Sequence, residues 1–232
     1  DLKPVGAGYM EDFHYAGGLE GVLREIAPQL ETATRSVTGE TLADRLARPL
    51  PDPIDRAVIR EASRPISPLG GLIALRGSLA PEGAILKRAA ATEALLEHEG
   101  RAVVFTSLED LAARIDDPDL DVTAEDILVL QNAGPKSASG MPEAGYLPIP
   151  KKLAQAGVKD MVRISDARMS GTAFGTIVLH VSPEASVGGP LSLVRNGDRI
   201  RLSAREKRID LLVDVATLAH RRTETTGASY RP

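Results

Sequence analysis

Lys159-Asp-Met-Val-Arg-Ile-Ser-Asp-Ala-Arg-Met-Ser-Gly-Thr-Ala-Phe-Gly-Thr-Ile-Val-Leu-His-Val181 places two apolar runs on either side of a polar, glycine-bearing stretch. Residues 159–164 and 176–181 read as strands, and 165–175 reads as the loop between them. A glycine-flanked loop held between buried strands can fix a serine hydroxyl and leave space beside it. Ser170 is the hydroxyl at its centre.

Working outward, the same texture recurs from about residue 68 onward. Residues 72–75, 84–86, 102–105, 127–130, 191–194, 199–202 and 208–213 are short apolar or alternating runs separated by Gly, Pro, Asn and Asp. Arg195-Asn-Gly-Asp198 reads as a tight hairpin turn between the runs at 191–194 and 199–202. Helices are few: 90–98, 108–115 behind a capping-box pattern at Thr106/Ser107 and Glu109/Asp110, 150–156, and a closing helix at 215–222. Many short strands with few helices predict a β-rich α+β fold, a β-barrel or sandwich with peripheral helices. An N-terminal helical arm precedes it, with a helix at 18–27 ended by Pro28 and another at 41–48. Pro49, Pro51 and Pro53 then mark an extended linker, so 1–67 reads as arm and linker and 68–232 as the barrel domain.

Composition narrows the chemistry. The chain of 232 residues is 43% hydrophobic but only 3% aromatic, so its core is aliphatic. A net charge of −4 with interspersed signs gives no nucleic-acid stripe and no basic membrane patch. No apolar run reaches the ~20 residues that span a bilayer, and no signal-peptide pattern opens the chain; the expected location is cytoplasmic. The first residue is Asp1, not Met, which reads as a fragment of something longer. With no cysteine, disulfides, thiol catalysis and Cys-ligated metals are excluded within this chain. His14, His98, His180 and His220 are too scattered for a histidine cage.

Taken singly, the polar segments say little. A loop serine such as Ser170 ordinarily caps a backbone group, and Arg168-Met-Ser-Gly-Thr172 is not the Gly-x-Ser-x-Gly of a hydrolase elbow. In residues 132–145 neither Gly134 nor Gly140 is directly followed by the Lys-Ser/Thr of a phosphate-binding loop, but Glu143 within them is a constrained carboxylate suited to Mg²⁺. One carboxylate is not a site, so further ligands must come from elsewhere. Glu11 and Asp12 serve equally well as helix-start acids.

Together the segments resemble the C-terminal portion of the dihydroxy-acid dehydratase/6-phosphogluconate dehydratase family. The carriers are Met10-Glu-Asp-Phe, Gly77-Ser-Leu-Ala-Pro, Gly134-Pro-Lys with Gly140-Met-Pro-Glu, Ser165-Asp-Ala-Arg-Met-Ser-Gly-Thr, and Ser182-Pro-Glu-Ala with Gly188-Gly-Pro. Ala113-Arg-Ile-Asp-Asp-Pro and the context of Glu143 look closer to sugar-acid (aldonate) dehydratases. The resemblance implies a hydro-lyase that converts a 2,3-dihydroxy acid to a 2-keto-3-deoxy acid. It implies a swivelling-type β-barrel that closes over an N-terminal α/β domain, which carries an iron–sulfur cluster and most Mg²⁺ ligands. Ser170 matches the serine base, Glu143 the acid that reaches Mg²⁺, and Gly171 and Thr172 the substrate end of the loop. The implied partners are that α/β domain, a small sugar or dihydroxy acid, and a second copy in a homodimer. Lys136-Ser-Ala-Ser139 departs from the family wording before Gly140, which bears on the aim of Glu143. The rival expectation is a non-catalytic β-barrel module that binds a ligand or partner.

Overall fold

Ile127-Leu-Val-Leu130 is apolar at every position, and all four side chains are buried. A strand of that kind needs cover on both faces, which is the habit of parallel sheets. In this computed structural model, whose described residues are 1–3, 6–143, 147–170 and 174–228, it lies near the middle of an eight-stranded sheet. The strands are β1 (Leu72–Leu75), β2 (Gly83–Lys87), β3 (Glu97–Phe105) and β4 (Ile127–Leu130), then β5 (Arg163–Ser165), β6 (Ile177–Ser182), β7 (Arg199–Ser203) and β8 (Arg208–Leu211). Their order is β1-β2-β6-β5-β4-β3-β7-β8. The neighbours from β3 to β6 run parallel, and the outer pairings are antiparallel.

The two edges of the sheet meet. Arg76, just past β1, bridges Arg208 of β8, with Arg76 N–H donating to Lys207 O (2.9 Å) and Ile209 N–H to Arg76 O (3.1 Å). The sheet is therefore a nearly closed barrel, joined at this seam by the segment that follows β1. Gly77 permits the seam: a Cβ there would sit 2.0 Å from Ile209 O.

The chain divides into two compact units, Asp1–Leu69 and Gly70–Pro232. The first holds three short helices, α1 (Met10–Tyr15), α2 (Gly18–Glu25) and α3 (Leu42–Ala47). Thr41 caps α3 by accepting Asp44 N–H, while Asp44 accepts Thr41 N–H in return. Pro28 sits in a 3₁₀ turn, Ala27–Gln29, so α2 ends before it.

In the second unit the parallel strands separate two apolar clusters. Ile73, Leu86, Val104, Val129, Ile164 and Val178 belong to one, with residues of β7 and β8. The alternate side chains, among them Phe105, Leu128, Leu130 and Leu179, join the other. There they meet Leu111 of α4 (Leu108–Arg114) and Leu153 of α5 (Lys151–Gln155). Of the capping box expected ahead of α4, the Ser107 half forms, its Oγ accepting Asp110 N–H, while the Asp110 carboxylate accepts Thr106 N–H, one residue before the cap. A last helix, α6 (Val215–Ala228), runs longer than its pattern indicated, and its Arg221 pairs with Asp198.

Two expectations are corrected. Residues 191–194 are not a strand: Pro190, which lacks an N–H, opens a 3₁₀ turn through Leu193, so Arg195–Asp198 is no hairpin between strands. Residues 90–98 are not a helix. Short 3₁₀ turns occupy Arg88–Ala90 and Glu93–Leu95, and Glu97 and His98 already pair with Ser203 and Leu202 in β7. Strand pairing there overrides a helix-forming composition.

Candidate functional site

Parallel strands force long links, because the chain must return to the other end of the sheet before the next strand begins. Two such links leave the carboxyl ends of β4 and β5, where ligands bind in open parallel sheets. The first, 131–150, carries Glu143; the second, 166–176, carries Ser170. Their described parts include buried residues such as Gln131, Ala133, Asp166 and Ala167, whose backbone groups need partners.

Asp166 supplies several at once. Its carboxylate is buried and accepts Ala133 N–H (2.9 Å) and Ala185 N–H (2.8 Å), joining the chain just after β4, β5 and β6. Burial pushes its pKa up, with the two N–H bonds opposing and the neighbouring Glu184 charge adding. Glu184, also buried, accepts Lys136 N–H (2.9 Å) and the Ser186 hydroxyl (2.6 Å). Gly134 allows this approach, since a Cβ there would lie 2.0 Å from Glu184 Oε2.

The far ends of the links are held by Arg163. Its buried guanidinium donates to Leu147 O (3.0 Å) at the end of the Glu143 segment and to Phe174 O (2.9 Å) at the end of the Ser170 segment. Asp160 pairs with it at 3.1 Å and accepts the N–H and hydroxyl of Thr176. Burial raises the Asp160 pKa, but hydrogen bonds from Thr176 and Thr92 and the Arg163 charge outweigh it and hold the carboxyl low.

Between those anchors the links touch. Glu143 and Arg168 form a backbone bridge, Arg168 N–H donates to Pro142 O (3.3 Å), and Arg168 Nη1 donates to Glu143 Oε1 (2.7 Å). Ser170 lies two residues beyond Arg168 and is 7% exposed. The structure thus brings the Glu143 and Ser170 segments together through the ion pair. Gly171 and Thr172 lie outside the described residues. Next to the start of the serine link is a cleft of about 490 Å³ whose lining includes Lys136, Met141, Asp166, His180, Glu184 and Val187.

A family model described as "Dihydroxy-acid/6-phosphogluconate dehydratase C-terminal" matches residues 57–231. The chain belongs to that family. It is 48% identical over 237 residues to an L-arabonate dehydratase of Azospirillum brasilense, covering 100% of this chain and 40% of that protein. It is 48% identical over 239 residues to a 6-deoxy-6-sulfo-D-gluconate dehydratase of Pseudomonas putida, covering 99% and 41%. A dihydroxy-acid dehydratase of Methanothrix thermoacetophila is 40% identical over 235 residues, covering 100% and 41%. The chain spans about two fifths of the length of these dehydratases.

The donor set limits what this chain can hold. With no cysteine it cannot ligate an iron–sulfur cluster through thiolates. Among the described residues no group of three or more His, Asp or Glu is placed to bind a metal. Glu143 is a hard-oxygen donor, half-exposed and engaged through Oε1 with Arg168. A single such carboxylate could supply one ligand to a hard cation and is not a complete site. Among the described residues no helix is long and apolar enough to cross a membrane.

The sequence reasoning singled out Ser170 and Glu143 but missed Arg163, Asp166 and His180. A signal existed for two of them. Arg163 and His180 interrupt otherwise apolar strands, and a charged or polar residue there must have a buried partner.

Proposed function

We propose that this chain is the C-terminal domain of a hydro-lyase that dehydrates a 2,3-dihydroxy acid, an aldonate or a branched-chain acid, to a 2-keto-3-deoxy acid. The observation that supports it is the meeting of the Glu143 and Ser170 segments at the carboxyl ends of β4 and β5. The identities to sugar-acid dehydratases favour an aldonate.

In this reading Ser170 takes the proton from C2 of the substrate. The C2–H electrons form the C2–C3 double bond, the C3 hydroxyl leaves with a proton as water, and the resulting enol tautomerises to the keto acid. A serine hydroxyl is too weak an acid to be a base unaided, so its alkoxide needs a nearby cation. Glu143 offers Oε2 as one ligand to a Mg²⁺ that would lower the hydroxyl pKa and stabilise the developing enolate. Gly171 and Thr172 shape the substrate end of the link. Cysteines of an N-terminal α/β domain would hold the iron–sulfur cluster, and the working protein is a cytoplasmic homodimer. Arg163 and Asp166 keep the two segments in register while other groups do the chemistry.

The test is keto-acid formation from a panel of aldonates and dihydroxy acids, by the full-length protein and by this chain alone. Turnover is expected only from the full-length protein. Its Ser170→Ala variant should retain the cluster spectrum and lose exchange of the C2 proton with solvent. Near-normal exchange in that variant would remove Ser170 from the role of base.

A further inference from the structure

His180 sits inside β6 with a φ of 54°, a left-handed conformation that costs a β-strand residue about 1 kcal/mol or more. The β2–β6 register shifts at this point: Gly83 faces Ser182, but Ile85 faces Leu179, which leaves one extra residue on the β6 side. Such a bulge turns backbone and side chain out of the ladder. What His180 gains by turning is contact with the serine link. Its backbone N–H donates to Ala167 O (2.9 Å), and its ring Nε2 accepts Met169 N–H (2.9 Å).

Those two groups belong to the peptide bonds on either side of Arg168. We propose that His180 is a positioning residue, clamping both peptides through its N–H and its ring so that Arg168 is held toward Glu143 and Ser170 is held in place. This rests on the reading of Ser170 as the base. A ring nitrogen that accepts a backbone N–H carries no proton, so the imidazole is neutral with its proton on Nδ1. Burial, which lowers the His180 pKa, acts in the same direction. The same geometry makes His180 a poor candidate for a proton-transfer group through Nε2, because that lone pair is already engaged.

The experiment uses the full-length protein and two substitutions that differ in reach. Asn tolerates the left-handed backbone, but its acceptor falls about one carbon–carbon bond short of Met169, whereas Gln places an amide oxygen near the Nε2 position. His180→Asn is expected to lower kcat and C2-proton exchange about 10²-fold with KM little changed, the cost of misplacing a reacting group by an ångström. His180→Gln, which keeps an acceptor for Met169 N–H, should recover activity to within about fivefold of the parent, a deficit no larger than the net worth of a single hydrogen bond. Hydrogen–deuterium exchange in the peptide spanning 167–170 should rise in the Asn variant and stay near the parent in the Gln variant. Equal loss in both variants, or unchanged kcat and protection in the Asn variant, would overturn the proposal. Ser170→Ala serves as the control: if it retains exchange, the base assignment fails, while the 167–170 protection still reports on the clamp.

Discussion

In the parallel half of the barrel, β3 to β6, each strand is joined to the next by a link that must travel back along the sheet. In the antiparallel half, β1–β2 and β7–β8 are joined by short turns, and the seam between Arg76 and Arg208 closes through backbone hydrogen bonds together with those of the Ser78 and Asp210 side chains. The contrast shows in where buried polarity sits. Among the described residues, Asp126, Gln131, Arg163, Asp166, Thr176 and Glu184 are buried in or beside the parallel half, whereas the outer strands bury fewer, Ser203 and Asp210, and carry exposed ion pairs such as Arg199–Glu99. A long link over apolar surface needs more side chains as partners for its backbone than a tight turn does. Those buried side chains bring the Glu143 and Ser170 segments together.

The largest expected effect breaks the comparison at its strongest point. Arg163→Met leaves Asp160 buried without its cation and frees the ends of both links, and should cost about 3–5 kcal/mol in denaturant unfolding. A loss under about 1 kcal/mol would mean that Arg163 is not the anchor described above.

Next, Gly77→Ala tests the seam. A Cβ placed 2.0 Å from Ile209 O and 2.7 Å from its carbonyl carbon must move main chain, and should cost about 1–3 kcal/mol. The seam should loosen without disturbing the serine link, read as raised hydrogen exchange at 76–79 and 207–211 but not at 167–170.

Acid titration sharpens the contrast between the two buried carboxylates of the parallel half. Asp160 is held below its unfolded value, so its contribution is present above that value and is lost as pH falls through the folded one. Asp166 is raised, so its contribution is present below the unfolded value and is lost as pH rises through the folded one. Stability measured between about pH 3 and 7 should therefore show the cost of Asp160→Asn shrinking on acidification. The cost of Asp166→Asn should grow over the same range. Parallel slopes would contradict the assigned environments.

The smallest effect belongs to the surface of the antiparallel half. Arg199→Ala removes an exposed pair with Glu99 and should change stability by less than about 1 kcal/mol, less still in high salt. A larger loss would show that the outer strands depend on their ion pairs after all.

Much of the barrel is legible in the chain. Residues 72–75 and 127–130 are strands over the expected span because their apolar patterns are local and are bounded by turn residues. Residues 90–98 and 191–194 are not legible, since pairing with β7 decides the first and Pro190 the second. The site divides in the same way. Ser170 and Glu143 stand out as polar groups in constrained loops. Their proximity depends on an ion pair between positions 143 and 168 and on Arg163 reaching both links, which no local window contains.

Sequence by itself determined that this is a β-rich chain with an aliphatic core, that it has no thiol ligand, and which family it resembles. Each follows from residue identity and short-range pattern. Tertiary structure alone decided that β3 to β6 run parallel, that the sheet closes on itself, and that Asp166, Arg163 and His180 hold the serine link. Strand order and buried charge pairing join residues far apart in the chain, and their energies exist only once burial has removed water from between them.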